Sequence, residues 1–305
     1  MVTETRSVSC VAFTHTKPSQ NRRYWVCLFT RDGAATLDCA LRSITDQTIP
    51  AKFIVVVDDG STDQTPIILR HYDAVAVVRT GSTTRDIRRA PRLINIARDR
   101  AQTLGIPEYF MITGDDCVFP SHYVETILKV MDSDPKLVIA SGDWGVKPPP
   151  DMIKAPQGAG RIVRESYMTL LGGRYPEQYG WESWILYKAL QMNYKILNLT
   201  ELRFVHSRSY SGKQTFNWGR GMWTLGYDPL FVVARIAKNI LFADEPLNVS
   251  ANLAMLAGYV SGFLESDSYS KPYDMDLRRN VARSQRSRLA RILKVAGWTR
   301  SRIPK

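Results

Sequence analysis

The segment FIVVVDDGSTDQT, residues 53–65, indicates the fold class of this chain. Five consecutive apolar residues, Phe53 to Val57, are typical of a strand that is buried on both faces. The run ends abruptly in Asp58 and Asp59, and Gly60 then permits a tight turn. In an open parallel sheet, ligands bind outside the carboxyl ends of the strands. We therefore expect the two carboxylates to lie partly solvated at the mouth of a cleft.

Short apolar runs alternate with helical periods on both sides of this segment. The pattern predicts strands at 24–30, 53–57, 74–80, 108–113 and 137–142, and helices at 33–47, 65–72, 92–105 and 121–134. Such an alternation predicts βαβ units and a mostly parallel α/β sheet flanked by helices.

A second acidic pair, Asp115 and Asp116, follows the fourth predicted strand in MITGDDCVFP. Adjacent carboxylates at this edge require a compensating cation. Oxygen ligands with open coordination positions suit Mg²⁺ or Mn²⁺ that bridges phosphates. The plainer alternatives stay open: a turn and helix cap after Asp58, and a solvated loop at Asp115.

The segment VVVDDGSTDQT resembles the nucleotide-binding segment of the inverting family-2 glycosyltransferases with the GT-A fold. INIARDRAQTLG resembles the helix that precedes their DxD strand. The spacing to Pro120 aligns the DxD segment with residues 113–116, so that Thr113 stands where the family has its first Asp. The resemblance covers about residues 24–210. It implies a metal-dependent hexosyltransferase that uses a UDP- or GDP-sugar with Mn²⁺ or Mg²⁺.

The resemblance also implies a set of site residues. Nucleotide-binding residues would be Thr30, Asp58, Asp59, Arg98 and Asp115; metal ligands would be Asp115, Asp116 and His206; and diphosphate-binding residues would be Arg208 and Lys213. In YGWESWILYKAL, Glu182 holds the position of the family's Glu, whereas Ser183 stands where many relatives have Asp. We therefore expect Glu182 to be the general base, with Asp143 as the next candidate.

The formal charge of +12 is concentrated at the C-terminus. Residues 278–305 contain ten Lys and Arg and no Asp or Glu, so removing these ten from +12 leaves +2. This tail has apolar residues near one helical face, and a basic amphipathic helix is typical of a membrane-surface binder. Nucleic-acid binding and disorder are the alternatives for the tail, but we expect no nucleic-acid partner, since the body shows no nucleic-acid-binding fold.

The segment before the tail changes composition after residue 213. FNWGRGMWTLGYD, residues 216–228, is interpreted as a loop rich in glycine and aromatic residues, and a helix is predicted from Pro229. Residues 246–264 contain nineteen residues without a charge, which meets the length of a spanning helix. Their polar residues favour an interfacial or packed helical hairpin instead, and a soluble helical subdomain remains open.

These patterns predict four regions: an extension (1–22), a GT-A catalytic domain (23–213), a hydrophobic helical segment (214–265) and a basic tail (266–305). Cysteines without CxxC spacing and the lack of an apolar leader favour the cytoplasm. We expect the cytoplasmic face of a membrane, with a polyprenyl- or lipid-linked acceptor. The alternatives are a degenerate nucleotide-sugar-binding module, supported by Thr113 and Ser183, and, less favoured, a sugar-phosphate nucleotidyltransferase.

Overall fold

The computed structural model describes residues 23–81, 87–145, 155–207, 212–242, 249–265 and 271–300. The chain divides into two compact units. The first unit comprises residues 1–83, 93–174 and 196–207, and the second comprises residues 84–92, 175–195 and 208–305. The predicted extension, residues 1–22, lies outside the described residues.

The elements of the chain follow one another in this order. They are β1 (Tyr24–Thr30), α1 (Leu37–Thr45), β2 (Ile54–Asp58), α2 (Thr65–Leu69), β3 (Val75–Arg79), α3 (Arg89–Leu104), β4 (Tyr109–Gly114), β5 (Cys117–Val118), α4 (Tyr123–Ser133), β6 (Leu137–Asp143), β7 (Arg161–Arg164), α5 (Glu165–Leu170), α6 (Trp181–Gln191), β8 (Lys195–Arg203), β9 (Val205–His206), α7 (Gly212–Thr224), α8 (Pro229–Phe242), α9 (Val249–Leu264) and α10 (Met275–Arg300).

A seven-stranded sheet in the order β3-β2-β1-β4-β7-β6-β8 forms the first unit. Strands β3, β2, β1 and β4 are parallel, and β7 is antiparallel to both β4 and β6. The predicted α/β class and the mostly parallel sheet are therefore confirmed. In register, Thr30 pairs with Asp58, and Phe29 pairs with Gly114. The carboxyl ends of β1, β2 and β4 consequently meet at one edge.

The core of this unit follows from the apolar periods of its elements. Helix α1 buries Leu37, Ala40, Leu41 and Ile44, the residues that its helical period predicts. They pack with apolar side chains of β1, β2, β4 and α4 in one cluster. Successive strand residues point to opposite faces of the sheet. On the other face, Trp25 of β1 and Phe110 of β4 stack with ring centroids 5.5 Å apart. The central strands are thus covered on both faces, as parallel strands usually are.

The second unit contains α6 to α10, and it corrects the predicted loop at residues 216–228. Most of that segment belongs to helix α7, which packs against α9. A Cβ added at Gly219 would lie 2.0 Å from the carbonyl oxygen of Met255. A Cβ at Gly258 would lie 2.0 Å from the carbonyl oxygen of Phe216. The glycines therefore permit close backbone contact between two helices, whereas the sequence pattern suggested irregular chain.

The basic tail is also part of this unit over much of its length. In α10, Leu277, Val281 and Gln285 are buried. Leu277 and Val281 belong to a cluster with Leu225 and Tyr273. The segment from residue 275 to about 285 is therefore not a free surface helix, and its apolar residues have partners within the protein. None of the described helices combines the length and the apolarity that a bilayer span requires.

Two of the described cysteines, Cys27 and Cys117, are free and buried. Cys39 is disulfide-bonded.

Candidate active site

Asp58 and Asp59 are both buried, so the expectation of partly solvated carboxylates is wrong. Asp58 Oδ1 accepts a hydrogen bond from the backbone N–H of Ser61 (2.9 Å), and its Oδ2 lies 3.6 Å from Nε of Arg79. Asp59 Oδ1 accepts from the hydroxyl of Thr80 (3.0 Å). Adjacent like charges are tolerated here because other groups at the edge compensate each of them.

Asp59 has its own cation as well. Its Oδ2 lies 3.8 Å from a terminal nitrogen of Arg31, which follows β1. Arg31 and Arg79 therefore act as counter-ions of the acidic pair, a role that the sequence pattern does not indicate. The available signal was only their position directly after β1 and at the end of β3, where side chains meet the same sheet edge.

The loop after β1 is locked to the loop after β2. The hydrogen bonds that join them include Asp32 N–H to Ser61 Oγ, Gly33 N–H to Thr65 Oγ1, Ala34 N–H to Asp63 Oδ2, and both the N–H and the hydroxyl of Thr62 to Asp32 Oδ1. The serine, threonine and aspartate side chains of the quoted segment thus position the neighbouring loop in addition to their own turn.

Asp115 is held at the same edge by β1. Its Oδ2 accepts a hydrogen bond from the hydroxyl of Thr30 at 2.5 Å, and both residues are buried. Gly33 makes room for this contact, because a Cβ at that position would lie 2.0 Å from Asp115 Oδ2. Thr30 and Asp115 are among the predicted site residues, whereas Gly33 is not. Its signal was one glycine in TRDG, directly after the first strand.

Asp116 faces His206 on a small second sheet. Strands β5 and β9 pair antiparallel, with Cys117 opposite His206. His206 Nε2 lies 3.6 Å from Asp116 Oδ2. The ring of Trp144 meets the imidazole edge-on, with centroids 4.2 Å apart. Residues 90 positions apart in the chain are thereby brought together.

The ligand atoms of Asp116, Cys117 and His206 lie within 4.8 Å of one another, which is a spacing that a metal ion can bridge. A carboxylate and an imidazole suit a divalent cation. Cys117 fits less well: burial and the charge of Asp116 raise the pKa of its thiol, and the thiol donates to Asp116 Oδ1 at 3.5 Å. The residues that fit the implied cation are therefore Asp116 and His206, with Asp115 preceding them.

Arg98, one of the predicted nucleotide-binding residues, has its partners away from the acidic pairs. Two of its nitrogens donate to the carboxylate of Glu165 at 3.1 and 2.9 Å, and its Nε donates to the carbonyl oxygen of Gly173 at 2.7 Å. Its guanidinium also lies over the ring of Phe110. Arg98 is buried, so the ion pair and the aromatic contact hold α3 and α5 to the sheet.

A cavity of about 550 Å³ borders Arg98 and Glu165. Glu165 follows Arg164, which pairs with Tyr109 at the start of β4. The cavity consequently lies at the amino ends of the parallel strands, away from the acidic pairs.

The remaining predicted residues are placed as follows. Glu182 is the second residue of α6, in the second unit, and Gly180 caps that helix in a left-handed conformation with φ 79°. Asp143 ends β6 and is buried, and its Oδ1 lies 3.0 Å from Arg203. Arg208 lies outside the described residues, and Lys213 is the second residue of α7, whose side chain is not described.

Comparison with protein families matches residues 25–191 to Glycosyl transferase family 2. Comparison with curated proteins gives no significant match. Among solved structures, S. aureus TarS 1-349 aligns with a TM-score of 0.52 and 18% identity, covering 78% of this chain and 71% of that chain. Its complex with UDP-GlcNAc aligns with a TM-score of 0.50 and 18% identity, over 78% and 72%. Mannosyltransferase PcManGT from Pyrobaculum calidifontis, in complex with GDP-Man and Mn²⁺, aligns with a TM-score of 0.53 and 19% identity, over 82% and 78%.

Proposed function

The chain belongs to glycosyl transferase family 2, and from that premise we propose that it moves a sugar from a nucleoside diphosphate sugar to an acceptor hydroxyl. The observation that carries this proposal is the acidic edge at the ends of β1, β2 and β4. There Thr30 binds Asp115, and Asp116 faces His206. Carboxylates and an imidazole at this edge suit a cation that in turn binds phosphates.

The donor is proposed to be a UDP- or GDP-sugar. Two structures of the same fold hold UDP-GlcNAc and GDP-Man. Asp59 is the proposed contact to the nucleotide's N–H or hydroxyl groups. Asp58 is better suited to hold the loop, because it already accepts the backbone N–H of Ser61.

A divalent cation, Mn²⁺ or Mg²⁺, is proposed at Asp115, Asp116 and His206. When bound, such an ion neutralises charge on the diphosphate that leaves. Thr113 stands where the family resemblance expects another Asp, so the protein would supply fewer carboxylates than the pattern provides. Thr30 would orient the carboxylate of Asp115 toward the site, and Trp144 would orient the ring of His206.

The proposed chemistry is an inverting displacement with Glu182 as general base. The acceptor oxygen forms a bond to the anomeric carbon while the bond to the nucleoside diphosphate breaks, and the hydroxyl proton passes to the Glu182 carboxylate. This assignment rests on the resemblance of YGWESWILYKAL to the family's acidic segment. Ser183 is a poor substitute for a base, because a neutral hydroxyl does not accept the proton readily.

The acceptor is proposed to be lipid-linked or to lie close to a membrane, with the protein at the cytoplasmic face. The support comes from the second unit, which combines exposed apolar side chains on α8 and α9 with the basic residues of α10.

A second candidate function is a nucleotide-sugar-binding module that has lost catalysis. Two residues favour it: Thr113 and Ser183 both occupy positions where the family resemblance expects Asp.

Release of nucleoside diphosphate from a panel of UDP- and GDP-sugars, with Mn²⁺ and a polyprenyl phosphate acceptor, separates the two functions. We expect turnover by the parent protein, and a loss of about 10²–10⁴-fold in Glu182→Gln with donor affinity retained. Ser183→Ala is the matched control and should lose much less. Donor binding without any release of nucleoside diphosphate by the parent would favour the non-catalytic module.

A further inference from the structure

Helix α8 exposes an apolar stripe. Leu230, Val233 and Ile240 are exposed, together with Ala234 and Ala237 at helical spacing between them. Leu230 is 74% exposed. The opposite side of the helix is buried, because Val232 and Ile236 pack with Met222 and Met255. Because the inner face of α8 is already packed, the exposed apolar side chains on its other face do not stabilise the described fold.

Helix α9 repeats this arrangement and carries no charged residue at all. Its exposed side chains recur at helical spacing, and the large ones are Val249, Leu253, Val260, Phe263 and Leu264. Phe263 and Leu264 are 67% and 72% exposed. Its buried residues, among them Met255, Gly258 and Gly262, face α7.

The two helices form one packed pair. Asn239 Nδ2 of α8 donates to Asn252 Oδ1 of α9 at 3.1 Å, and Ile236 packs with Met255. The exposed stripes belong to the other sides of these helices. Two adjoining helices that both expose large apolar side chains are unusual on a monomeric soluble protein and mark an interaction surface.

The charged side chains on α8 and α9 themselves are basic, and Glu265, which follows α9 directly, is paired with Arg220. Within residues 229–242 and 249–264 the charged residues are Arg235 and Lys238, both exposed. Helix α10 of the same unit adds exposed Arg283, exposed Arg279, which lies 4.0 Å from Asp276, and exposed Arg286, which pairs with Asp228. Arg235 and Lys238 of two copies would repel each other, whereas an anionic lipid surface would attract both residues.

We propose that the exposed faces of α8 and α9 bind the surface of an anionic bilayer. The apolar side chains would enter the boundary between headgroups and acyl chains, and Arg235 and Lys238 would contact lipid phosphates. The helices lie on the membrane and do not cross it, because their inner faces are packed against the rest of the unit. This inference rests on the proposed membrane-proximal acceptor and assigns its docking surface to α8 and α9 in place of the C-terminal tail.

Flotation with phosphatidylcholine vesicles, with and without phosphatidylglycerol, tests this surface. The parent should bind the anionic vesicles more strongly than the neutral ones. The double variant Leu230→Gln/Phe263→Gln should bind both kinds at least about tenfold more weakly, because burying each side chain is favourable. Arg235→Gln/Lys238→Gln should bind anionic vesicles about tenfold or more weakly than the parent. This difference in affinity should shrink as the salt concentration is raised.

Ile67→Gln/Leu170→Gln is the matched control, since these side chains of the first unit are 53% and 60% exposed. It should bind vesicles as the parent does. Absence of vesicle binding by the parent, or equal binding by Leu230→Gln/Phe263→Gln, would overturn the proposal. A different result would assign the exposed faces of α8 and α9 to a second copy of the chain: the parent sediments as a dimer, and Leu230→Gln/Phe263→Gln dissociates this dimer without changing vesicle binding. No donor or acceptor is present, so these outcomes are independent of the proposed transfer.

Discussion

Asp58 and Asp59 can stand side by side because each carboxylate has its own partners. Asp58 is compensated by Arg79 and the Ser61 N–H, and Asp59 is compensated by Arg31 and Thr80. Removing two charges from water is costly unless both are paired and hydrogen-bonded. Both carboxylates therefore have partners within the protein next to the proposed donor site.

Gly33 leaves the space in which Asp115 accepts the hydrogen bond from Thr30 of β1. We predict that Gly33→Ala displaces the Asp115 carboxylate, because the added Cβ would overlap its Oδ2 and the Thr30 hydroxyl. The Mn²⁺-dependent part of nucleotide binding should fall to the level of Asp115→Ala, as calorimetric titration with Mn²⁺ and a nucleoside diphosphate would show. Gly81→Ala is a suitable control, since a Cβ there meets nothing within 4 Å. Unchanged titration of Gly33→Ala would show that this contact does not matter.

For single residues, the sequence indicates which residue types lie at the carboxyl ends of β1, β2 and β4. It does not indicate the contact partner of each side chain. Arg98 illustrates the limit. Its position in a helix that resembles the family's pattern suggested a role at the nucleotide, yet its partner is Glu165, 67 residues later in the chain. An ion pair over that separation depends on the antiparallel β7, which the local pattern did not predict.

At the scale of elements, the start of α8 is set by Asp228. Its carboxylate accepts from the N–H groups of Leu230 and Phe231 at 3.0 and 3.3 Å, and Pro229 occupies the first helical position. This is the arrangement that favours a helix N-terminus. Asp228 also accepts from Nε of Arg286 on α10 at 2.6 Å, so the cap joins two helices of the second unit.

We predict that Asp228→Ala lowers the free energy of unfolding by about 1–2 kcal/mol, measured by urea denaturation. Asp228→Asn retains most of the cap, and it should cost less. Burial opposes ionisation of Asp228, but hydrogen bonds from Arg286 and the Phe231 N–H outweigh it and lower its pKa. The parent's advantage over Asp228→Asn should therefore be full above the unfolded pKa of about 4 and vanish as pH falls through the lower folded value. An advantage that persists at lower pH would contradict this account.

Elements with long apolar runs could be predicted from the sequence, whereas elements defined by their contacts with other elements could not. The strands at 24–30, 53–57, 74–80, 108–113 and 137–142 lie within a residue of β1, β2, β3, β4 and β6. Their apolar runs are long enough to indicate buried strands even when the adjacent strands are not known. The strand β7 and the pair β5 and β9 are too short for a period to show. Helix α7 differs from the predicted loop because its glycines permit close contact with α9, which the sequence of α7 alone does not show.

At the scale of the whole molecule, the C-terminal basic segment is a structural part of the second unit before it is anything else. Val281 is buried there, and Gln285 Oε1 accepts the backbone N–H of Asp228 at 2.8 Å. A charge count alone could not show this, because the Arg residues lie between positions that face the protein.

We predict that a chain ending at Leu277 loses at least about 3 kcal/mol of the second unit's stability, from the exposed apolar surface and the lost hydrogen bonds. Scanning calorimetry should show a lower melting temperature for that unit. Removal of residues 301–305 alone is the control and should change little. A truncated protein with the parent's melting profile would show that the packing of α10 contributes nothing.

The central claim is that the acidic edge of the first unit binds a nucleoside diphosphate sugar together with a divalent cation. The most direct measurement is the melting temperature of the parent, Asp59→Asn and Asp115→Asn with UDP- and GDP-sugars, each with and without Mn²⁺. A ligand at 100 times its Kd stabilises the folded state by about 2.7 kcal/mol. The parent should therefore melt at a higher temperature with at least one donor, and further so with Mn²⁺. Asp59→Asn should show a smaller rise, and Asp115→Asn should lose the Mn²⁺ increment. If no donor raises the parent's melting temperature in Mn²⁺, or if Asp115→Asn keeps the full increment, the claim is contradicted.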